Sequence, residues 1–174
     1  MQVFDACLKP LLVHEGGNDD DPQDPGGRTS RGITQSEYDV WRVKQGLPKR
    51  DVWTASDAEV RSIYLTDYWN AMRCDDLPAG VDYAVFDFGV NSGAAHAIKY
   101  LQAIVGTTVD GVIGPKTLHA AQTAGAARTT ILLCFNRLEY VRGLGSLWVK
   151  YGNGWETRIV EVLALAMRMQ LTSP

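Results

Sequence analysis

Between His14 and Thr34 the chain reads HEGGNDDDPQDPGGRTSRGIT. Gly16–Gly17 ends any preceding helix, and Asp24-Pro25-Gly26-Gly27 is a strong turn signal. Residues 17–33 therefore form a loop, within which RTSRGI (28–33) fits a short strand or hairpin. A long loop in a compact domain is often functional. On both sides of it the pattern is helical. Phe4, Leu8, Leu11 and Glu15 share one face of a helix over residues 2–16, although Pro10 should kink or split it. Thr34 with Glu37 and Ser56 with Glu59 are capping boxes that open two more helices, the first ending at Gly46. Val60, Ile63, Tyr64, Asp67 and Tyr68 continue the second at helical spacing. After LPAG (77–80), VDYAVFDFGVN (81–91) is apolar nearly all round and reads as a buried helix. Ser92 is placed to cap the next helix, whose stripe is Ala94, Ala95, Ile98, Leu101, Gln102 and Val105. Pro115 suits a first helical turn, and helices near 115–124, 127–142 and 154–170 complete the chain. The fold expected is mainly α: a helical bundle with one irregular loop or small hairpin.

A chain of 174 residues with 45% apolar content is long enough to bury a real core as one domain. Its net charge of −3 is too mild for a nucleic-acid binder. The charge is uneven. Six acids crowd residues 1–30, and six bases (Arg128, Arg137, Arg142, Lys150, Arg158, Arg168) fall in 128–174. An acidic site facing a basic flank would suit a polyanionic polymer, but solvated surface is the simpler reading. Cys7, Cys74 and Cys134 form no C-x-x-C, so neither zinc nor thioredoxin chemistry is signalled. Cys7 and Cys134 lie in apolar runs and are expected as buried free thiols. MQVFDACLKPLL lacks the pattern of a signal peptide, and no apolar run of membrane-spanning length exists. The reading is a monomer made in the cytoplasm, without membrane insertion, for which any work outside would need assisted export. His14, His96 and His119 have no partners at metal spacing, and no metal or organic cofactor is expected.

Glu15 is the residue with the clearest chemical potential. It is in phase with apolar neighbours, it lies in the last turn of its helix, and Asp19–Asp21 and Asp24 follow. Burial, the negative helix end and like charge all disfavour a charged carboxylate. A general acid that protonates a leaving oxygen needs that environment. The glycines after it let the backbone turn sharply and admit a bulky substrate. A surface glutamate at a helix end is the plain alternative. Glycoside cleavage commonly uses a second carboxylate. Asp24 could hold a water or stabilise an oxocarbenium ion, with Thr29 helping to place that water. Asp24 is equally suited to an Asx turn before Pro25, and Asp19, Asp20 and Asp21 remain open as the partner.

The 14–34 stretch resembles the signature of glycoside hydrolase family 108, the N-acetylmuramidases of phages and bacteria. The likeness lies in Glu15-Gly16-Gly17, Asp21-Pro22, Asp24-Pro25-Gly26-Gly27, Thr29 and Gly32-Ile33-Thr34. IYLTDYW (63–69), LPAGVDYAVFDFGVNSG (77–93), DGVIGPKT (110–117) and YGNGWETRIVEV (151–162) look like later parts of that family, in order. Asn18 stands where many members carry an aromatic. The resemblance implies a lysozyme-like, mainly α fold of α+β type and hydrolysis of the β-1,4 bond between N-acetylmuramic acid and N-acetylglucosamine. It places the catalytic glutamate on Glu15, with Asp24 and Thr29 in the E, D, T order of phage lysozymes. It also implies a catalytic segment over 1–92 and a peptidoglycan-binding helical segment over 93–174, packed as one domain. Peptidoglycan glycan strands are then the partner, in phage lysis or in secretion.

Tyr83, Asp87 and Asn91 recur one helical turn apart on an apolar helix. Tyr83 and Asn91 are read as lining the sugar cleft, Asn91 toward an acetamido group. Gly27 and Thr34 count with them as substrate-binding. Asp87 is read instead as hydrogen-bonding internally and locking its helix to the active-site loop. Trp41 and Trp69 are expected in the core, while Trp53, Trp148 and Trp155 stay open. Two rival functions remain: a lytic transglycosylase, and a non-catalytic cell-wall-binding module.

Overall fold

The computed structural model describes residues 2–20 and 27–172. The chain divides into two compact units, Met1–Asp67 and Tyr68–Pro174. The architecture is mainly helical with one small antiparallel sheet, the lysozyme-like class expected.

The first unit opens with α1, Gln2–Glu15, which buries Phe4, Cys7, Leu8 and Leu11. Pro10 sits inside it without splitting it, contrary to expectation. The donor that proline lacks would have served the Ala6 carbonyl, and Ala6 lies on the exposed face, where solvent can take that role. Gly16, at φ +74°, stops the helix. Three two-residue strands follow: β1 (Asn18–Asp19), β2 (Thr29–Ser30) and β3 (Ile33–Thr34), antiparallel in that order. Asp19 pairs with Thr29 and Thr29 with Thr34, while Asn18 pairs with Ser30 and Ser30 with Ile33. Because side chains alternate across a strand, these are two rows on opposite faces. Ser30 and Ile33 are buried, so the Asp19–Thr29–Thr34 row faces the other way. Arg31 and Gly32 join β2 to β3, at φ +50° and +76°, the pattern of a two-residue type I′ hairpin.

Both capping boxes form. Thr34 opens α2 (Gln35–Lys44) with Glu37, and Ser56 opens α3 (Asp57–Ile63) with Glu59. A 3-10 turn at Val52–Thr54 lies between them. Glu59 also binds Arg42 at 2.5 Å and Arg50 at 2.6 Å, joining α2, α3 and the intervening segment. Burial pushes its carboxyl up, but Ser56, Tyr38 and Arg50 outweigh this and hold it below the usual range. Val60, Ile63 and Tyr64 are buried as expected, whereas Asp67 is exposed. From Tyr64 to Asn70 the helix widens to π geometry, and the longer hydrogen-bond step shifts the stripe out of phase.

The second unit is built from α4 (Val81–Ser92), α5 (Ala94–Val105), α6 (Pro115–Thr123), α7 (Ala126–Arg142) and α8 (Ser146–Thr172). Every residue of α4 from Val81 to Gly89 is buried, and the helix packs on α5, α7 and α8. Asp87 is fully buried. It accepts from Arg137 of α7 at 2.7 Å and from Arg158 of α8 by two guanidinium bonds of 3.0 Å. The internal role expected for Asp87 holds, but its partners are these arginines rather than the loop. Burial pushes the Asp87 carboxyl up, and the two guanidinium charges outweigh it and hold it below the usual range. Two of the six C-terminal bases are thus core residues rather than solvated surface.

Ser92 does not cap α5. It ends α4, its hydroxyl bonds to Asn91 at 3.1 Å, and Gly93 at φ +94° makes the junction. The final helix starts at Ser146, eight residues earlier than read, and runs through YGNG. Gly152 fits because a Cβ there would stand 2.7 Å from the Trp148 ring. A helical glycine loses only about 1 kcal/mol, which burial of Arg158, Ile159, Val162 and Ala166 along α8 offsets. All three cysteines are free and buried, and burial pushes the Cys134 thiol up to about 12. Trp41 and Trp69 lie in the core at 7% and 0% exposure. No helix among the described residues is long and apolar enough to cross a membrane.

Candidate active site

Glu15 is the last residue of α1, half-buried, at the end of the face formed by Phe4, Leu8 and Leu11. Its carboxyl lies against the Arg31–Gly32 turn. A Cβ built on Gly32 would overlap Glu15 Oε2 and stand 2.7 Å from the Tyr64 hydroxyl oxygen. Only glycine leaves that room. Tyr64, 1% exposed, donates its hydroxyl to the Arg31 carbonyl at 2.7 Å. The Arg31 amide donates to the Gly17 carbonyl at 2.9 Å. Its guanidinium reaches the Asp57 carboxylate at 2.6 Å and the Ala55 carbonyl at 2.5 Å. Arg31 is one of two non-glycine residues at positive φ among the described residues, and these four bonds hold it there.

The same hairpin carries Thr29, half-buried on β2 between Asp19 and Thr34. The Thr29 carbonyl accepts from the Trp53 indole at 2.9 Å. Arg28 stacks over that indole at 4.1 Å and binds Asp51 at 2.5 Å. The turn at 52–54 thereby braces β2 from outside. Thr34 spends its hydroxyl on the helix cap, accepting from the Glu37 amide at 3.2 Å and donating to Glu37 Oε2 at 2.8 Å. Gly27 is half-buried at φ +65°. Asp24 lies outside the described residues, as does Asp21. Tyr83 and Asn91 belong to the second unit, on α4. Tyr83 is 1% exposed and Asn91 half-buried. Among the described residues no three His, Cys, Asp or Glu side chains gather where a metal ion could sit.

The site thus has a partly open carboxyl at a helix end, seated on a braced glycine turn beside a tyrosine hydroxyl, with a threonine one strand residue away. The glycosyl hydrolase 108 family model matches residues 8–93, a range that contains all of these groups. The Predicted Peptidoglycan domain model matches residues 96–160. The structure of Brucella abortus SagA is similar over 98% of this chain and 97% of that one, at 39% identity and a TM-score of 0.87.

The chain belongs to glycosyl hydrolase family 108.

No curated protein matches it. As a family 108 glycoside hydrolase with a peptidoglycan domain, it is a peptidoglycan hydrolase that acts on the cell wall. Sequence reading named Glu15, Thr29 and the hairpin and left Trp53 open, and it passed over Tyr64 as a neighbour of the Glu15 carboxyl. Tyr64 was visible only as one buried position in a helical stripe. Arg31-Gly32 between two β-prone pairs was the signal that could have located the turn, because x-Gly at a two-residue loop demands positive φ.

Proposed function

We propose that the chain is an N-acetylmuramidase that hydrolyses the β-1,4 bond between N-acetylmuramic acid and N-acetylglucosamine. Glu15 is the general acid that protonates the glycosidic oxygen. Asp24 is the second carboxylate, and Thr29 helps place the attacking water. Asn91, half-buried, serves an acetamido group, with Gly27 and Thr34 in the substrate-binding set, whereas Tyr83, at 1% exposure, offers a sugar no surface and belongs to the core. The observation that carries this reading is the seat of Glu15: a half-buried carboxyl at a helix end, against the turn of the hairpin that also bears Thr29. A braced acid next to open loop backbone suits proton transfer to a bound polymer. The E-G-G and D-P-G-G segments flanking this acid count against a purely binding role, which requires no half-buried carboxyl.

The test is digestion of purified sacculi by wild type, Glu15→Gln and Asp24→Asn, with mass spectrometry of the products. Reducing-end muramic acid from wild type, and loss of clearing in Glu15→Gln, are expected. Products ending in 1,6-anhydromuramic acid would make the enzyme a lytic transglycosylase. Sacculi that bind the protein without losing turbidity would make it a binding module. Full clearing by Glu15→Gln removes the assignment of the acid.

A further inference from the structure

Arg31 is held at positive φ, where a non-glycine residue is strained, and strain of this kind persists only where surrounding contacts enforce it. Here the enforcing contacts come from Gly17, Ala55, Asp57 and the Tyr64 hydroxyl. The first three fasten the turn to its own periphery. The Tyr64 bond differs, because the tyrosine oxygen and Glu15 Oε2 both lie within 2.7 Å of one point, the place of a Gly32 Cβ. Tyr64 itself is buried, at the residue where α3 passes into π geometry, so its hydroxyl is supplied by a rigid support. Such π-helical turns recur at functional sites.

We propose that Tyr64 and Gly32 are positioning residues for the acid. Tyr64 holds the Arg31–Gly32 turn in the one conformation that leaves room for the Glu15 carboxyl, and Gly32 supplies that room by lacking a side chain. Neither needs to touch the sugar. Their effect is on the direction in which the acid presents its proton, so it falls on turnover rather than on binding. This rests on the reading of Glu15 as general acid.

The test uses soluble, uncrosslinked glycan strands and the full chain. Tyr64→Phe keeps the ring and deletes only the hydroxyl. It is expected to lower kcat by about 10- to 100-fold, as misplacement of a reacting group by about an ångström does, with KM within about threefold of wild type. Gly32→Ala pushes the carboxyl off its seat and is expected to lower kcat at least as far with the same unchanged KM. Circular dichroism and thermal melting show whether each variant is folded. If Tyr64→Phe does not fold, Gly32→Ala still decides the matter. Wild-type kcat in folded Tyr64→Phe or Gly32→Ala overturns the proposal. So does a fall in kcat matched by a rise in KM and a loss of melting temperature, which marks a merely structural role. Glu15→Gln, run alongside, separates the two failures. If Glu15→Gln is inactive while Tyr64→Phe turns over normally, the acid stands and its positioning by Tyr64 falls. If Glu15→Gln is fully active, the reading of Glu15 itself has failed.

Discussion

Glu15 and Asp87 are both acids set in phase with apolar neighbours on a helix, and the fold treats them in opposite ways. Asp87 sits in the middle of α4 with no exposed surface, clamped by Arg137 and Arg158. Two cations in a dry environment keep it ionised, and a carboxylate so held has no proton to give. Glu15 sits at the end of α1, where the helix stops and the surface begins, half-buried against a glycine turn and a tyrosine hydroxyl. The contrast shows how position along a helix sorts carboxyls. A mid-helix acid is enclosed by neighbouring helices and becomes a structural clamp. A terminal acid can be supported from one side and approached from the other.

The largest effect expected is on the terminal acid. Glu15→Gln should lower the hydrolysis rate by a factor of about 10² to 10⁴ or more while leaving the melting temperature near wild type, measured on sacculi and by calorimetry. A large loss of stability there would erase the distinction between the two acids. Asp87→Asn should do the reverse. It leaves two buried guanidinium groups without their counter-charge, and chemical denaturation should show a loss of about 3–5 kcal/mol, with activity following the folded fraction. Because burial loses to the arginines and the folded Asp87 is held below its ordinary range, its stabilisation is present above the unfolded value of 3.8. It disappears as pH falls through the folded value, so the deficit of Asp87→Asn should narrow in strong acid.

Asp82, at the start of the same helix, sharpens the comparison with the opposite sign. Burial pushes its carboxyl up to about 6, against the Tyr83 and Gly80 amides that lower it, with Asp75 adding like charge. The folded state therefore holds this proton longer than the unfolded state, and stability falls as pH climbs from 3.8 through about 6. Asp82→Asn should be more stable than wild type at neutral pH, by up to about 3 kcal/mol, with the gap closing as pH falls toward 3.8. A gap that instead widened in acid would contradict this. The smallest effect belongs to the hairpin. Thr34→Ala should lose about 1 kcal/mol through its cap, and Thr34→Ser should restore it. A KM increase in Thr34→Ala beyond what Thr34→Ser shows would support the substrate role proposed for Thr34, and an unchanged KM would leave it a cap alone.

Much of this fold was legible because its signals are local. The Thr34–Glu37 and Ser56–Glu59 boxes act over one turn, and Gly16 and Gly106 stop helices at the residues where positive φ is needed. The buried character of α4 followed from its unbroken apolar pattern. What escaped was set by packing. Pro10 stays helical because the Ala6 carbonyl it leaves without a donor belongs to an exposed residue. α8 runs through two glycines because its later residues are buried, and Ser92 loses the cap to Gly93. The candidate site divides the same way. Glu15 and the hairpin could be read from glycine spacing, whereas Tyr64 could not, since its hydroxyl meets a carbonyl contributed from far back along the chain.

Sequence by itself determined where α2 and α3 begin, where α1 and α5 end, that a short hairpin follows α1, and that an acid stands at that junction. These depend on caps and on glycine's backbone freedom, which act among near neighbours. Only the tertiary structure decided that Arg137 and Arg158 meet Asp87, and that the Glu15 carboxyl rests where a Gly32 side chain would be. Such pairings join residues distant along the chain, and they exist only once burial has brought their elements into contact.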